Sequence, residues 1–333
     1  MTRAIGTADG LDGLDGLDGL DGLSGSDGAA TGGGTLFRPI GVSPSLQPAP
    51  GEDWFRGNQW PPANTEPPAN PTTANPGAGT PAPWPPSGIT QFPRHHWSAS
   101  LYALVVLADF VKQSETRLDG SGTSYTFDTI FDPVNDRPDA TKLQQELDEL
   151  VSLIEFRPAV MSEALAQRNN ISAYWRGAFL YGNASHPFTY DLTQAALRVG
   201  EFQAMFYKKM FNRPRASQLL PSLMPPVDVP GHPSYPSAHA TESHLLSGCL
   251  RLVFETANGL PPGTVVIPTA SLDALDRLAQ RVARNREVLG LHYPSDSALG
   301  KELARWTLPL LKKCPRFSDL VSAAAAEWRS LAS

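Results

Sequence analysis

The chain changes character near residue 92, and that change limits what it can fold into. Residues 10–23 repeat Leu-Asp-Gly, and from Gly32 to about Phe92 the sequence is dense in Pro, Gly, Asn and Thr. Much of the chain's stock of 32 prolines and 28 glycines lies there. A stretch of this kind buries too little apolar surface to offset the entropy of ordering it. Residues 1–92 are therefore expected to be a disordered N-terminal segment, with Trp54, Trp60 and Trp84 as aromatics able to dock on a domain. Glycine at every third position suits a collagen helix, but the repeat is short and lacks proline.

Beyond that point the pattern is helical. Leu101, Leu104, Val105 and Ala108 recur at the spacing of one helix face, as do Leu143, Leu147, Leu150, Val151 and Ile154. Pro138-Asp139 precedes the second of these stripes as a cap, and Pro158 opens a further helix towards Asn169. Residues 190–210 place Leu192, Ala195, Ala196, Val199, Phe202 and Phe206 on one side. Further helices are expected at 238–256, 271–289, 296–313 and 317–331, and a short strand only at 264–267. The expected fold is all-α, a helical bundle forming one domain over 93–333.

Bulk properties exclude several classes. A formal net charge of -6 argues against a nucleic-acid partner. Cys249 and Cys314, the two cysteines, suggest buried free thiols rather than a zinc site or disulfide scaffold. The N-terminus lacks an apolar signal region, and Leu101 to Leu107 is too short to span a bilayer. A soluble, cytoplasmic protein without a membrane span is the expectation. Asn183-Ala184-Ser185 matches a glycosylation sequon that would then stay idle. His95-His96 has no metal spacing, His244 suits a surface or packing role, and Tyr174 and Trp175 read as core.

Three blocks carry chemistry. Lys208 ends a long helix, and Arg215 follows beyond a proline stop, with Arg213-Pro214 between them. Alone, this is a cationic helix C-terminus favoured by the macrodipole. In Pro233-Ser234-Tyr235-Pro236-Ser237-Ala238-His239, a serine and a histidine lead into an apolar helix. Ser237 can be a plain N-cap, or part of an anion site at a helix N-terminus. In Arg286-Glu287-Val288-Leu289-Gly290-Leu291-His292, an arginine and a histidine flank a turn, and Asp296 follows four residues later. Asp296 either favours a helix N-terminus or fixes the tautomer of His292, leaving a more basic free nitrogen.

In order and spacing, Lys-x6-Arg, Pro-Ser-x-His and Arg-x5-His-x3-Asp resemble the three-part signature of the type 2 phosphatidic acid phosphatase and vanadium-dependent haloperoxidase superfamily. The match runs from about Pro187 to Gly300. Three positions depart from the usual pattern: Ala216 for proline, Ala238 for glycine and Asn285 for serine. Ala238 matters most, because its N–H is expected to touch the oxyanion.

The resemblance implies roles. Lys208, Arg215 and Arg286 neutralise equatorial oxygens of a tetrahedral oxyanion, with the Ser237 hydroxyl and the Ala238 N–H. His292 bonds axially, to vanadium or as nucleophile to phosphorus. His239 serves as general acid on the opposite side, and Asp296 orients His292. His232 stands seven residues before His239, where bromide- or iodide-oxidising members carry histidine. One reading is a haloperoxidase with vanadate as cofactor, oxidising halide with hydrogen peroxide. The alternative is an acid phosphatase acting on a phosphate ester through a phosphohistidine. A third is an inactive helical protein that binds anions. Bundles of this family often pair, so a homodimer is an open expectation.

Overall fold

A computed structural model describes residues 92, 94–118, 120–259 and 267–330. Almost all of the N-terminal segment and most of the expected 264–267 strand lie outside these residues. The helical unit beginning at Ser98 is described by itself.

Among the described residues the unit is all-α apart from one small hairpin. Its helices are α1 (Ala99–Phe110), α2 (Leu143–Ser152), α3 (Arg157–Asn169), α4 (Ala173–Phe179) and α5 (Pro187–Phe211). Then come the single turn α6 (Ala216–Leu219), α7 (Ala238–Asn258), α8 (Thr269–Val288), α9 (Pro294–Lys312) and α10 (Pro315–Ser330). Strands β1 (Ser114–Thr116) and β2 (Ser124–Thr126) pair antiparallel, Glu115 opposite Tyr125.

Local chemistry sets several of these bounds. Pro158, Pro187 and Pro294 each stand in a first helical turn, where a missing N–H costs nothing. The α5 helix stops at Asn212, which is left-handed at φ 50° and donates its N–H to the Lys208 carbonyl. Asp139 caps a short 3-10 turn before α2, accepting from the Thr141 N–H.

Helix α7 is the axis of the bundle, packing against α5, α8, α9 and α10. Two buried glycines permit close approach to α7. A Cβ on Gly200 would lie 3.1 Å from the Glu242 Cα, and one on Gly300 would lie 2.8 Å from the Ser237 carbonyl oxygen. The α5–α7 and α7–α9 seams thus come close beside Glu242 and Ser237 respectively. At the other end of α7, Phe254 meets Trp328 of α10, with ring centroids 4.8 Å apart.

Helix α1 turns a different face inward from the one its leucines suggest. Ala103, Val106 and Phe110 are buried, whereas Leu101 and Leu104 stay exposed. The helix is apolar nearly all round, so periodicity could not choose its face. Helix α5 is buried on more than one side, and Phe202 and Phe206 pack on Phe127 at 5.3 and 5.4 Å. Cys249 and Cys314 are free and buried. Trp175 is core and donates its indole N–H to the Ser247 hydroxyl, while Tyr174 is half-buried. His244 is half-buried on α7.

Candidate active site

The three sequence blocks converge where the C-terminus of α5, the N-terminus of α7 and the α8–α9 turn meet. His232, Ala238, His239, Arg286 and His292 line one enclosed cavity with Met205, Pro230, Glu242 and Leu291. Its free volume, about 10 Å³, is near that of a single water position. Lys208, Arg215 and Ser237 border it without being part of its lining.

The α8–α9 turn positions the principal histidine. Gly290 adopts φ 73°, a left-handed conformation open to glycine at no steric cost, and lets the chain leave α8. The turn is pinned by Arg157, whose guanidinium donates to the carbonyls of Val288, Met224 and Leu223. His292 is thereby delivered beside the cavity, 3% exposed.

Both ring nitrogens of His292 are engaged. Arg215 Nη1 lies 3.2 Å from Nε2, and Asp296 Oδ2 lies 3.0 Å from Nδ1. A guanidinium only donates, so Nε2 accepts and Nδ1–H donates to the carboxylate. The tautomer is fixed by the two partners together. Asp296 also accepts from the Tyr293 N–H and from Arg213. Burial pushes its carboxyl pKa upward, opposed by Arg213, Lys208 and the Tyr293 N–H.

The two arginines near the α5 terminus have separate tasks. Arg213 Nη1 pairs with Asp296 at 2.7 Å, Nη2 pairs with Glu146 at 2.8 Å, and the guanidinium carbon sits 3.6 Å from the Tyr293 ring centroid. It faces the carboxylate behind His292. Arg215 faces the imidazole itself; its Nη1 also donates to the Leu291 carbonyl, while Nε and Nη2 reach the His232 carbonyl and His232 Nδ1. Sequence reading missed Arg213 and Glu146 as supports of Asp296. Only the third dimension joins Glu146 of α2 to a helix lying far along the chain.

Each remaining predicted residue has a defined place. Lys208 Nζ donates to the carbonyls of Pro233 and Ser234 at 2.8 and 3.0 Å, holding the loop ahead of α7. Ser237 caps α7, its Oγ accepting from the Ala240 N–H at 3.3 Å, while its own N–H donates to the Asp296 carbonyl. The cap uses an oxygen lone pair and leaves the hydroxyl proton for another acceptor. Arg286 donates to the Ala164 carbonyl. Asn285 faces away, donating to Glu163 and Gln167 of α3, and Ala216 packs in a small apolar cluster with Leu147 and Tyr293.

All three cavity histidines are depressed bases. Burial lowers His239 well below the usual range, helped by Arg286, His292 and Lys208. Burial, Arg215 and Lys208 do the same to His292. His232 falls to about 3, through burial and the charges of Lys208 and Arg215. Neutral His232 accepts from Arg215 at Nδ1, which leaves its proton on Nε2.

Glu242, fully buried on α7 one turn beyond His239, was absent from the sequence-derived set. Its signal was only its spacing of three from His239 on one helix face.

Comparison with known proteins adds one direction. No family model matches the chain. Decaprenylphosphoryl-5-phosphoribose phosphatase of Mycobacterium tuberculosis, in two strains, is 34% identical over 100 residues. The chain is similar to a phosphatase. The aligned part is 30% of this chain and 46% of each relative, so the chain spans about half the length of the curated relatives it matches. Among the described residues no helix is long and apolar enough to cross a membrane.

Proposed function

We propose that this protein is a phosphohydrolase that cleaves a phosphate ester through a phosphohistidine at His292. The observation that carries this reading is His292 held between Asp296 at Nδ1 and Arg215 at Nε2. The carboxylate fixes the ring and makes Nε2 the nucleophilic atom. The guanidinium marks where an anion's charge is to be met. The similarity to a named phosphatase favours phosphoryl transfer over the halide oxidation that the motifs also allow.

In this reading, an entering phosphoryl group draws Arg215 off Nε2 and onto its own oxygens, with Lys208, Arg286, the Ser237 hydroxyl and the Ala238 N–H as further donors. His292 Nε2 then attacks phosphorus, and the ester oxygen leaves with a proton from His239. Water attacks the phosphohistidine, His239 takes a proton from that water, and phosphate and free His292 result. Burial and the surrounding cations keep His239 neutral, and a phosphoryl dianion among those cations reverses their field. The acid is thus charged as the substrate arrives.

The test is hydrolysis of p-nitrophenyl phosphate by the purified full chain, with orthovanadate as competitor and bromide plus hydrogen peroxide as a parallel assay. Ester hydrolysis that vanadate inhibits and His292→Ala abolishes is the expected result. Bromide oxidation that depends on vanadate, without ester hydrolysis, would overturn the reading.

A further inference from the structure

Within a cavity bordered by three cations, one carboxyl stands out. Glu242 lines the cavity from α7, fully buried, and Gly200 of α5 lies against its backbone and Cγ with no room for a side chain of its own. The glycine makes the space in which this carboxyl is seated. His239 on the same helix, Arg286 from α8, His292 from the α8–α9 turn and His232 from the α5–α7 connection line the same cavity. Lys208 of α5 and Arg215 of that connection act on these histidines, and Asp296 of α9 stands behind His292. Helix α10 meets α7 at its far end, through Phe254 and Trp328.

We propose that Glu242 couples anion binding to proton uptake, so that the site selects its phosphoryl ligand together with one extra proton. This rests on the reading that the cavity takes a phosphoryl group. In the free protein burial opposes ionisation of Glu242 and the bordering cations favour it, and in this proposal the cations prevail. An incoming phosphoryl anion puts like charges into one small, water-poor space. A proton passing from solvent to a Glu242 oxygen removes that repulsion, and the complex then holds one proton at Glu242 beyond any taken up by His239. Affinity therefore falls as pH rises through the range in which the free carboxyl has ionised and the bound one has not. Glu242 is in this sense a specificity-determining residue, setting the total charge the pocket accepts.

Inorganic phosphate is the probe. Its binding to the full chain and to Glu242→Gln is measured calorimetrically from pH 6 to 8.5, in buffers of different ionisation enthalpy, to count protons. The wild type should take up one proton more than Glu242→Gln. The ratio of wild-type to variant Kd should rise with pH by at least tenfold across the range. Phosphate's own ionisation cancels in that ratio. Glu242→Asp, which keeps a carboxyl, should retain the pH dependence, and thermal unfolding of both variants separates a folding defect from a binding one. Parallel pH dependence in wild type and Glu242→Gln, or weaker binding by that folded variant at every pH, would overturn the proposal. No phosphate binding by the wild type removes this inference and the phosphohydrolase reading together. Proton-coupled binding without ester hydrolysis removes only the latter.

Discussion

Arg215 Nη1 donates to His292 Nε2 across 3.2 Å, so the lone pair of the proposed nucleophile is covered by a cation. The same guanidinium is held by three other acceptors, the carbonyls of Leu291 and His232 and the Nδ1 of His232. In the proposed mechanism this arrangement stores the nucleophile in a defined tautomer and exchanges one Arg215 bond for a better one when an anion arrives.

Arg215→Ala should therefore move two readouts in opposite directions. Phosphate affinity should fall at least about tenfold, since a charge-assisted hydrogen bond is worth about 1.5–3 kcal/mol. Acylation of His292 by diethyl pyrocarbonate should accelerate, because Nε2 is uncovered. Peptide mapping after timed modification checks the second, and an unchanged rate counts against the covering role.

Asp296→Asn should lower kcat by about 10²–10⁴-fold, because an amide no longer favours the Nδ1–H tautomer of His292. KM should change less, since Asp296 does not line the cavity. Equal losses in kcat and 1/KM would assign Asp296 to substrate binding instead.

Arg213→Ala should be costly for the fold. It leaves Asp296 and Glu146 as buried carboxylates without their shared cation, and breaking a buried pair costs about 3–5 kcal/mol. Urea unfolding measures it. A loss below about 1 kcal/mol would mean that the pair is solvated in solution.

Stability should decline as pH falls below the ordinary histidine range. His239 and His292 are held well below their usual pKa, His232 lies at about 3 and His244 at about 4. Below pH ~6.5 the unfolded chain binds protons that the folded one refuses, at roughly 1.4 kcal/mol per pH unit per histidine. Burial raises the Glu201 and Glu287 carboxyls, which act in the opposite sense near pH 5 and flatten the slope. Urea midpoints at pH 7, 6 and 5 test this, and a midpoint that rises on acidification contradicts it. Added phosphate should lessen the decline.

Gly300→Ala should destabilise the chain by about 1–3 kcal/mol, since the new methyl meets the Ser237 carbonyl at 2.8 Å and Ala240 Cβ at 2.9 Å. The same collision would push α9, with Asp296, away from the α7 N-terminus. Activity should thus fall further than the lost stability explains.

The sequence by itself determined the helices and the chemical types at the site. Proline starts such as Pro187 and Pro294 and the left-handed stop at Asn212 are local events, encoded within a turn of where they act. The spacing of His292 and Asp296, four apart across a helix start, was equally legible. Helix α4 and the Ser114–Thr126 hairpin escaped, being too short to establish a period. The inward face of α1 escaped because every side of it is apolar. Tertiary structure alone decided that Arg215 faces His292 while Arg213 faces Asp296, that Glu146 of α2 pairs with Arg213, and that Glu242 lies in the cavity. These contacts join residues far apart in the chain, and burial and opposite charge select among them only after α5, α7 and α9 have closed at Gly200 and Gly300.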